Sequence, residues 1–324
     1  MSLRIAYHLF PQTAGQEIDD LTRWIGMVRP EDGDAWLRLN GAGENLTWAA
    51  ADFENFSQPR PELAIAYEGE FEKAVRLLME HGWGFRLHAT YDETIRRDLA
   101  VFEKLAAEGL FPAGNRWLFD HAETASADSL DRIAALGGAM SVQNRLSFQG
   151  EAFLRRYGPG AAAVAPPIRA MLDRGLTVAA GTDATRVSTY NPWVALHWLV
   201  SGRTVGGLAL RPSANRVDRE TALTMFTRAG RPADRRAGRQ GRAAARLLRR
   251  PRGAVRGLLL RTGAGHRPHR VAADRHRRPD RLRRRRVRGP GRGVAARQPR
   301  LEPRRALRWL PTARVRGPAG RGGR

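Results

Sequence analysis

Apolar positions in the first 230 residues fall into two rhythms: short runs that read as buried strands, and stripes at helical spacing. The stretch that sets the pattern is Phe85–Ala89, an apolar strand that carries His88 to its C-terminal tip. Ile95, Leu99, Phe102 and Leu105 then recur at three- and four-residue intervals and predict a helix. The same strand–helix unit is written twice more. Residues 116–121 predict a strand ending in His121, followed by a helix bearing Leu130, Ile133 and Ala134. Residues 176–183 predict a strand ending in Asp183, followed by a helix with Val194, Leu196 and Leu199. Three units thus bring two imidazoles and a carboxylate to one end of a sheet, the end where β/α folds build their sites.

The rest of the pattern fills in around these units. Residues 3–10 predict a first strand and 17–28 a helix with Ile18, Leu21, Ile25 and Val28 on one face. A second strand over 35–39 breaks at Asn40 and Gly41. The long loop 45–61 carries Trp48, Phe53 and Phe56 and closes at Pro59 and Pro61. Loops of that length beside strand ends commonly form lids or pocket walls. Residues 62–80 predict a helix striped by Tyr67, Phe71, Val75 and Leu78. One more strand covers 139–142, followed by a loop and a helix started by Pro167, and Asp218 caps a last helix over 220–227. Six strands, each linked through helix, imply a parallel α/β sheet.

Charge divides the chain near Gly230. Residues 1–230 carry 24 Lys+Arg against 28 Asp+Glu, whereas 231–324 carry 32 Arg, no Lys and 4 acids. The formal net charge of +24 therefore belongs to the tail. The tail also lacks Ile, Met, Phe, Tyr, Lys and Asn, whose codons all begin with two A/T bases. Losing all of them together is what a GC-rich gene yields when read out of frame. Dense arginines repel one another, and the apolar residues are too few to offset ordering entropy, so 231–324 is expected to be disordered. Zero cysteines exclude a disulfide framework and a thiolate metal site. No charged-then-apolar leader follows Met1 and no apolar run approaches about 18 residues, which points to a cytoplasmic protein without a membrane partner.

His88, His121 and Asp183 offer the neutral imidazoles and carboxylate that zinc prefers, and a catalytic zinc takes three protein ligands plus water. A carboxylate beside such water can take and return its proton. With Gly181-Thr182-Asp183 following two strand-end histidines in this order, the chain resembles the amidohydrolase superfamily. More narrowly, it is similar to the branch containing N-substituted formamide deformylase and related amidohydrolase 3 proteins. The likeness covers residues 1–230. Shifting the reading by one base from Asp234 onward admits Lys-Gly-x-Leu-x-Pro-Gly-x-Tyr-Ala-Asp, which resembles the C-terminal signature of that family and extends the likeness to about residue 260.

The resemblance implies a TIM barrel with a small β-sandwich, and one or two divalent metals, usually zinc, that activate water against C–N bonds. It puts His88 on the fifth-strand metal ligand and His121 on the sixth. It puts Asp183 on the eighth-strand acid that shuttles a proton and sometimes ligates the metal. The family pattern also has a His-x-His pair on the first strand and a Lys on the fourth. This sequence has no His-x-His, and its only lysines, Lys73 and Lys104, fall on predicted helices. Glu44, just past the second predicted strand, is the candidate substitute ligand. Gln143 and Arg145, closing the seventh strand, are candidates for substrate contact. Asp92 and Asp120 are read as supporting or helix-start carboxylates, and His8, His81 and His197 have no partner pattern.

The expectation is an incomplete TIM (β/α)8 barrel of about six parallel strands over 1–230, N-terminally truncated, followed by the out-of-frame tail over 231–324. Its function would be metal-dependent hydrolysis of a non-peptide C–N bond in a small amide or formamide, impaired by loss of the first-strand ligands. The open barrel leaves room for a homo-oligomer in which a partner chain completes the site. The alternative is a nucleic-acid-binding protein whose arginines grip phosphates. The tail has one aromatic residue, Trp309, and no amphipathic period, which favours nonspecific, salt-sensitive sticking to nucleic acid over true readout.

Overall fold

Strands and helices alternate in the computed structural model, which describes residues 4–111, 116–184 and 187–229. The strands are β1 (Ile5–Leu9), β2 (Leu37–Ala42), β3 (Phe85–Ala89), β4 (Trp117–His121), β5 (Ala139–Gln143) and β6 (Val178–Gly181). The helices are α1 (Glu17–Met27), α2 (Glu68–Glu80), α3 (Asp92–Ala107), α4 (Ala127–Ala135), α5 (Leu146–Val164), α6 (Ile168–Asp173), α7 (Pro192–Ser201) and α8 (Arg219–Thr227). The strands pair in parallel in chain order, giving a six-stranded half-barrel sheet whose first and last members, β1 and β6, are paired on one side only. This is the parallel α/β arrangement that the strand–helix units predict. The expectations for 231–324, disorder and nucleic-acid sticking alike, lie outside the described residues. Among the described residues no helix is long and apolar enough to cross a membrane.

Side chains on a strand alternate between faces, and here the two faces differ in kind. Phe85, Leu87 and Ala89 of β3, Trp117 and Phe119 of β4, Met140 and Val142 of β5 and Val178 of β6 all enter the apolar core shared with the helices. The intervening positions are polar and bond to one another across strands. Arg86 Nε donates to Asp120 at 2.6 Å, and Gln143 Nε2 donates to Asp120 at 3.1 Å and to Ser141 at 2.9 Å. Register explains this row: His88 lies opposite Asp120, and Asp120 opposite Ser141. The polar face is therefore a property of the pleat, and it runs toward the strand ends that carry the candidate residues.

The helices obey simple end rules. Ser126 caps α4 by accepting from Ser129 N, Asn191 caps α7 with Pro192 behind it, and Asp218 caps α8 by accepting from Thr221 N. α3 buries Ile95, Leu99, Phe102 and Leu105, the four residues that predicted it.

Three boundaries differ from expectation. β2 runs through Asn40 and Gly41 rather than ending before them. The β1–β2 register slips between Tyr7 and His8, so that Asn40 is the extra residue of a bulge and its Nδ2 lies 3.1 Å from His8 Nε2. Gly41 makes this feasible, because a Cβ there would collide with the Gly84 carbonyl. The second difference is α5, where the sequence predicted a loop. Gly150, Gly158, Pro159 and Gly160 interrupt the periodicity of 146–164, yet Leu146, Phe153 and Ala162 are buried. The helix is broken at Gly158, whose φ of 81° is left-handed, and resumes at Pro159, an acceptable first residue for a helix. Thirdly, α2 begins at Glu68 rather than Glu62, because Arg97 Nη2 holds the carbonyls of Ala64 and Ile65 in a non-helical approach.

Phe102 sits at the centre of the apolar layer, with ring centroids of Phe71, Phe85, Phe111, Trp117 and Phe119 between 4.9 and 5.9 Å away. Such a ring, truncated in a packed core, costs about 3–5 kcal/mol. Phe102→Ala is accordingly expected to lower the free energy of urea unfolding by that amount. Ile65→Ser, at a residue 98% exposed, should change it by no more than about 0.5 kcal/mol.

Candidate metal centre

Three strand ends and one loop build the centre. β2 leads directly into Glu44, whose carbonyl accepts from His88 N at 2.8 Å and so ties the turn after β2 to β3. His88 is the penultimate residue of β3 and His121 the last of β4, and their ring centroids are 4.2 Å apart. One donor atom from each of Glu44, His88 and His121 can be chosen so that all three lie within 4.8 Å of one another. Loop 45–61 folds over this group: Phe53 meets His88 edge-on at 4.7 Å, and Asp52 and Glu54 flank the same imidazole.

The two imidazoles are in different electrical situations. His121 is buried, and neither ring nitrogen makes a well-formed hydrogen bond, although the Gln143 side chain is close enough to act on the ring. Burial, aided by the nearby charges of His88, Arg145 and Arg86, pushes its pKa well below the ordinary histidine value, so it presents neutral lone pairs. Burial also acts to lower His88, but the surrounding carboxylates of Glu44, Glu54 and Asp52 outweigh it and raise His88 to about 10. Its Nδ1 faces Glu44 at 3.7 Å and makes no hydrogen bond. Burial opposes ionisation of Glu44, yet the neighbouring His88, Arg86 and Arg145 hold it below the usual carboxylate value.

Two neutral or neutralisable imidazoles and an ionised carboxylate are the donor types of a zinc site. Three unpartnered buried nitrogens, Nδ1 of His88 and both of His121, are expensive to leave unsatisfied, and a cation would use them. The residues present therefore fit a divalent metal.

Asp183 stands apart from this group and joins it through an arginine. Arg145 Nη2 donates to Asp183 at 2.9 Å, while Nη1 pairs closely with Glu54 and lies 3.8 Å from Glu123. Gln143 is directed toward Asp120 and Ser141, and its Oε1 is buried without a partner. Asp92 bonds Ser126 N and Ser129 Oγ, joining the starts of α3 and α4, and Asp120 is fully buried against Arg86. Lys73 and Lys104 are on α2 and α3 as predicted, and Lys104 pairs with Glu72 at 2.8 Å.

Sequence reasoning missed Arg86, Asp52, Glu54 and Glu123. Arg86 was marked by the strand itself, two residues before His88 and so on the same face. Asp52 and Glu54 alternate with Phe53 in a loop singled out only for its aromatics. Glu123 lies two residues past His121. The only non-glycine residues with left-handed φ among those described are Glu31, His121, Ala122 and Asp183, at 84°, 77°, 53° and 49°. Two of the four are candidate site residues at the ends of β4 and β6, where strain of about 1–3 kcal/mol is held by surrounding contacts.

The model described as the amidohydrolase family matches residues 1–245. The chain belongs to the amidohydrolase family. Among curated proteins, none matches it. Among solved structures, this amidohydrolase is similar to an uncharacterized metal-dependent hydrolase from Pyrococcus horikoshii, at 16% identity and a TM-score of 0.53. Its counterpart from Pyrococcus furiosus gives 19% identity and a TM-score of 0.51. Each alignment covers 72% of this chain and 47% of the other, so the amidohydrolase described here spans about half the length of these structures. Atrazine chlorohydrolase TrzN from Arthrobacter aurescens, complexed with zinc, aligns at 16% identity over 81% of this chain and 55% of its own, with a TM-score of 0.46.

Glu123 generates a prediction for the metal-free protein. It is buried, its Oε2 has no partner, and burial raises it from 4.5 to about 7 against the opposing charge of Arg145. The folded state thus keeps a proton that the unfolded chain releases near 4.5. Its contribution to stability is present below 4.5 and lost as the pH rises to about 7. Glu123→Gln, measured by urea unfolding in chelator, should flatten the fall in stability across that interval. An unchanged slope would show that Glu123 does not carry it.

Proposed function

We propose that this amidohydrolase uses a divalent metal, zinc by the chemistry of its donors, to hydrolyse a non-peptide C–N bond in a small amide or formamide. The observation that supports it most is His121, a buried, neutral imidazole with no well-formed hydrogen bond on either ring nitrogen, beside His88 and Glu44. Those three side chains would hold the metal. Bound there, a divalent cation supplies Lewis acidity that polarises a carbonyl and eases loss of a proton from water.

The remaining roles belong to the chain's own groups. Asp183, steadied by Arg145, is assigned to take the proton from water and return it to the leaving nitrogen. Gln143, with its unpartnered Oε1, and Arg145 are assigned to substrate contact. Phe53 and Trp48, whose rings lie 6.2 Å apart, supply apolar cover that keeps bulk water from the imidazoles. With no His-x-His pair in the sequence, the donor set is smaller than the family pattern, and turnover is expected to be slow.

The test is zinc content after dialysis together with hydrolysis of a panel of N-substituted formamides and simple amides. High salt is needed to strip nucleic acid from the arginine-rich tail. About one zinc per chain is expected in the wild type and none in His121→Ala, with slow turnover that a chelator abolishes and zinc restores. Asp183→Asn should keep the zinc and lower kcat by roughly 10²–10⁴. Wild-type protein retaining no more zinc than His121→Ala would refute the proposal.

A further inference from the structure

His88 has two ring nitrogens with opposite surroundings. Nδ1 faces Glu44 Oε1 at 3.7 Å, beyond hydrogen-bond length. Nε2 faces the loop, with Thr90 Oγ1 at 3.2 Å, Asp52 Oδ1 at 3.3 Å and Glu54 Oε2 at 3.5 Å. These three neighbours are not equivalent. Glu54 is engaged by Arg145, and it also accepts from Thr90 Oγ1 at 3.2 Å. Asp52 has no arginine or lysine partner among the ion pairs of the described residues. Its carboxylate is fixed instead by backbone: Thr90 N donates to Oδ1 and Oδ2 at 3.1 and 2.9 Å, and Tyr91 N donates to Oδ2 at 3.0 Å.

Those two amides belong to the turn that joins β3 to α3, with Tyr91 as the residue capping the helix. Asp52 therefore sits at the N-terminus of a sixteen-residue helix, where free N–H groups and the helix dipole favour a negative charge. The same turn follows directly on the strand that carries His88. One carboxylate, 0% exposed, is thus held by the helix that follows the histidine and touches the histidine's outer nitrogen.

We propose that Asp52 is the positioning residue of the metal centre: it holds the proton of His88 on Nε2 and thereby aims the Nδ1 lone pair at the metal. This inference rests on the metal-binding reading above. Metal-ligating histidines commonly donate their other N–H to a carboxylate, which sets the tautomer and raises ligand basicity. Here the carboxylate comes from a loop 36 residues before the histidine, so no local motif reveals it.

Asp52→Asn separates the two duties of the side chain. Asparagine is as good as aspartate at accepting helix-start N–H groups, so one oxygen can still serve Thr90 and Tyr91. Its NH2 group then faces His88 Nε2 as a donor and no longer accepts from it. The experiment uses the full chain labelled with ¹⁵N-histidine, loaded with ¹¹³Cd for NMR, and zinc titrated against a competing chelator. In the wild type, ¹¹³Cd should couple to Nδ1 of His88, with the proton on Nε2. In Asp52→Asn, zinc affinity should fall by about 10- to 100-fold while the metal-free melting midpoint moves little. Should Asp52→Asn fail to fold, the wild-type spectrum alone decides, since coupling through Nε2 of His88 would overturn the inference. Wild-type coupling through Nδ1 with unchanged zinc affinity in the variant would overturn the role of Asp52 and leave the metal site standing. A wild type that binds neither cation would overturn both.

Discussion

Buried charges must be matched in sign, and the site of this amidohydrolase is organised by that requirement. Starting from Asp120, the contacts run to Arg86, to Glu44, to His88, to Glu54, to Arg145 and to Asp183, alternating acid and base at every step. Its members come from β3 (Arg86 and His88), from β4 (Asp120), from the turns after β2, β5 and β6 (Glu44, Arg145 and Asp183) and from loop 45–61 (Glu54), so the chain of charges fastens the five strands to one another. Removing Arg86 would leave Asp120, and removing Arg145 would leave Asp183, without the cation it pairs with, and such a loss is far more damaging than the net worth of any single pair. Glu44 and Glu54 are the shared acids, and both lie against His88.

The pleat decides which residues can join that chain. Arg86 and His88 share a parity on β3, as do Ser141 and Gln143 on β5, while their neighbours Leu87 and Val142 are buried in the core. A one-residue slip of β3 would put Leu87 among the carboxylates and Arg86 against Phe102. The aromatic layer around Phe102 thus does more than add burial, because it fixes register and so fixes the charge pairing. The left-handed backbone at His121 and Asp183 fits the same picture. Where β4 and β6 end, the chain turns out of the strand conformation, and the ion pairs and packing around these residues oppose relaxation.

Much of this was legible in the sequence because it depends on local pattern. The strands bearing His88 and His121 fall within a residue of their predicted limits, since each is a short apolar run bounded by a turn and followed by a helical stripe. Asp218 as a cap follows from its residue type and its position before a helix. What stayed hidden depends on distance. Asp52 and Glu54 acquire meaning only when loop 45–61 crosses to β3, and no periodicity encodes that crossing. The α5 helix was hidden for another reason: its glycines suggest loop, whereas Gly150 is there because Thr204 and Leu210 pack where a Cβ would stand. Asp183 shares the strand-end position of the histidines yet meets Arg145 first, and strand-end position alone does not distinguish a ligand from a neighbour.

Glu44 also explains how a centre lacking a strand-end lysine keeps its charge balance. A lysine brings a positive charge unless it is modified, and beside Arg86 and Arg145 an unmodified one would face repulsion. A glutamate brings its carboxylate directly. It lies 3.5 Å from Arg86 and 3.7 Å from His88, and the backbone bond from His88 N to its carbonyl holds the two residues together. With both arginines already committed to acids, a divalent cation among Glu44, His88 and His121 would find one negative charge and two imidazoles. Asp52, Glu54 and Glu123 stand just behind. Such surroundings favour a cation over an anion at this point, so the arginines nearby stabilise the acids without turning the centre into an anion site.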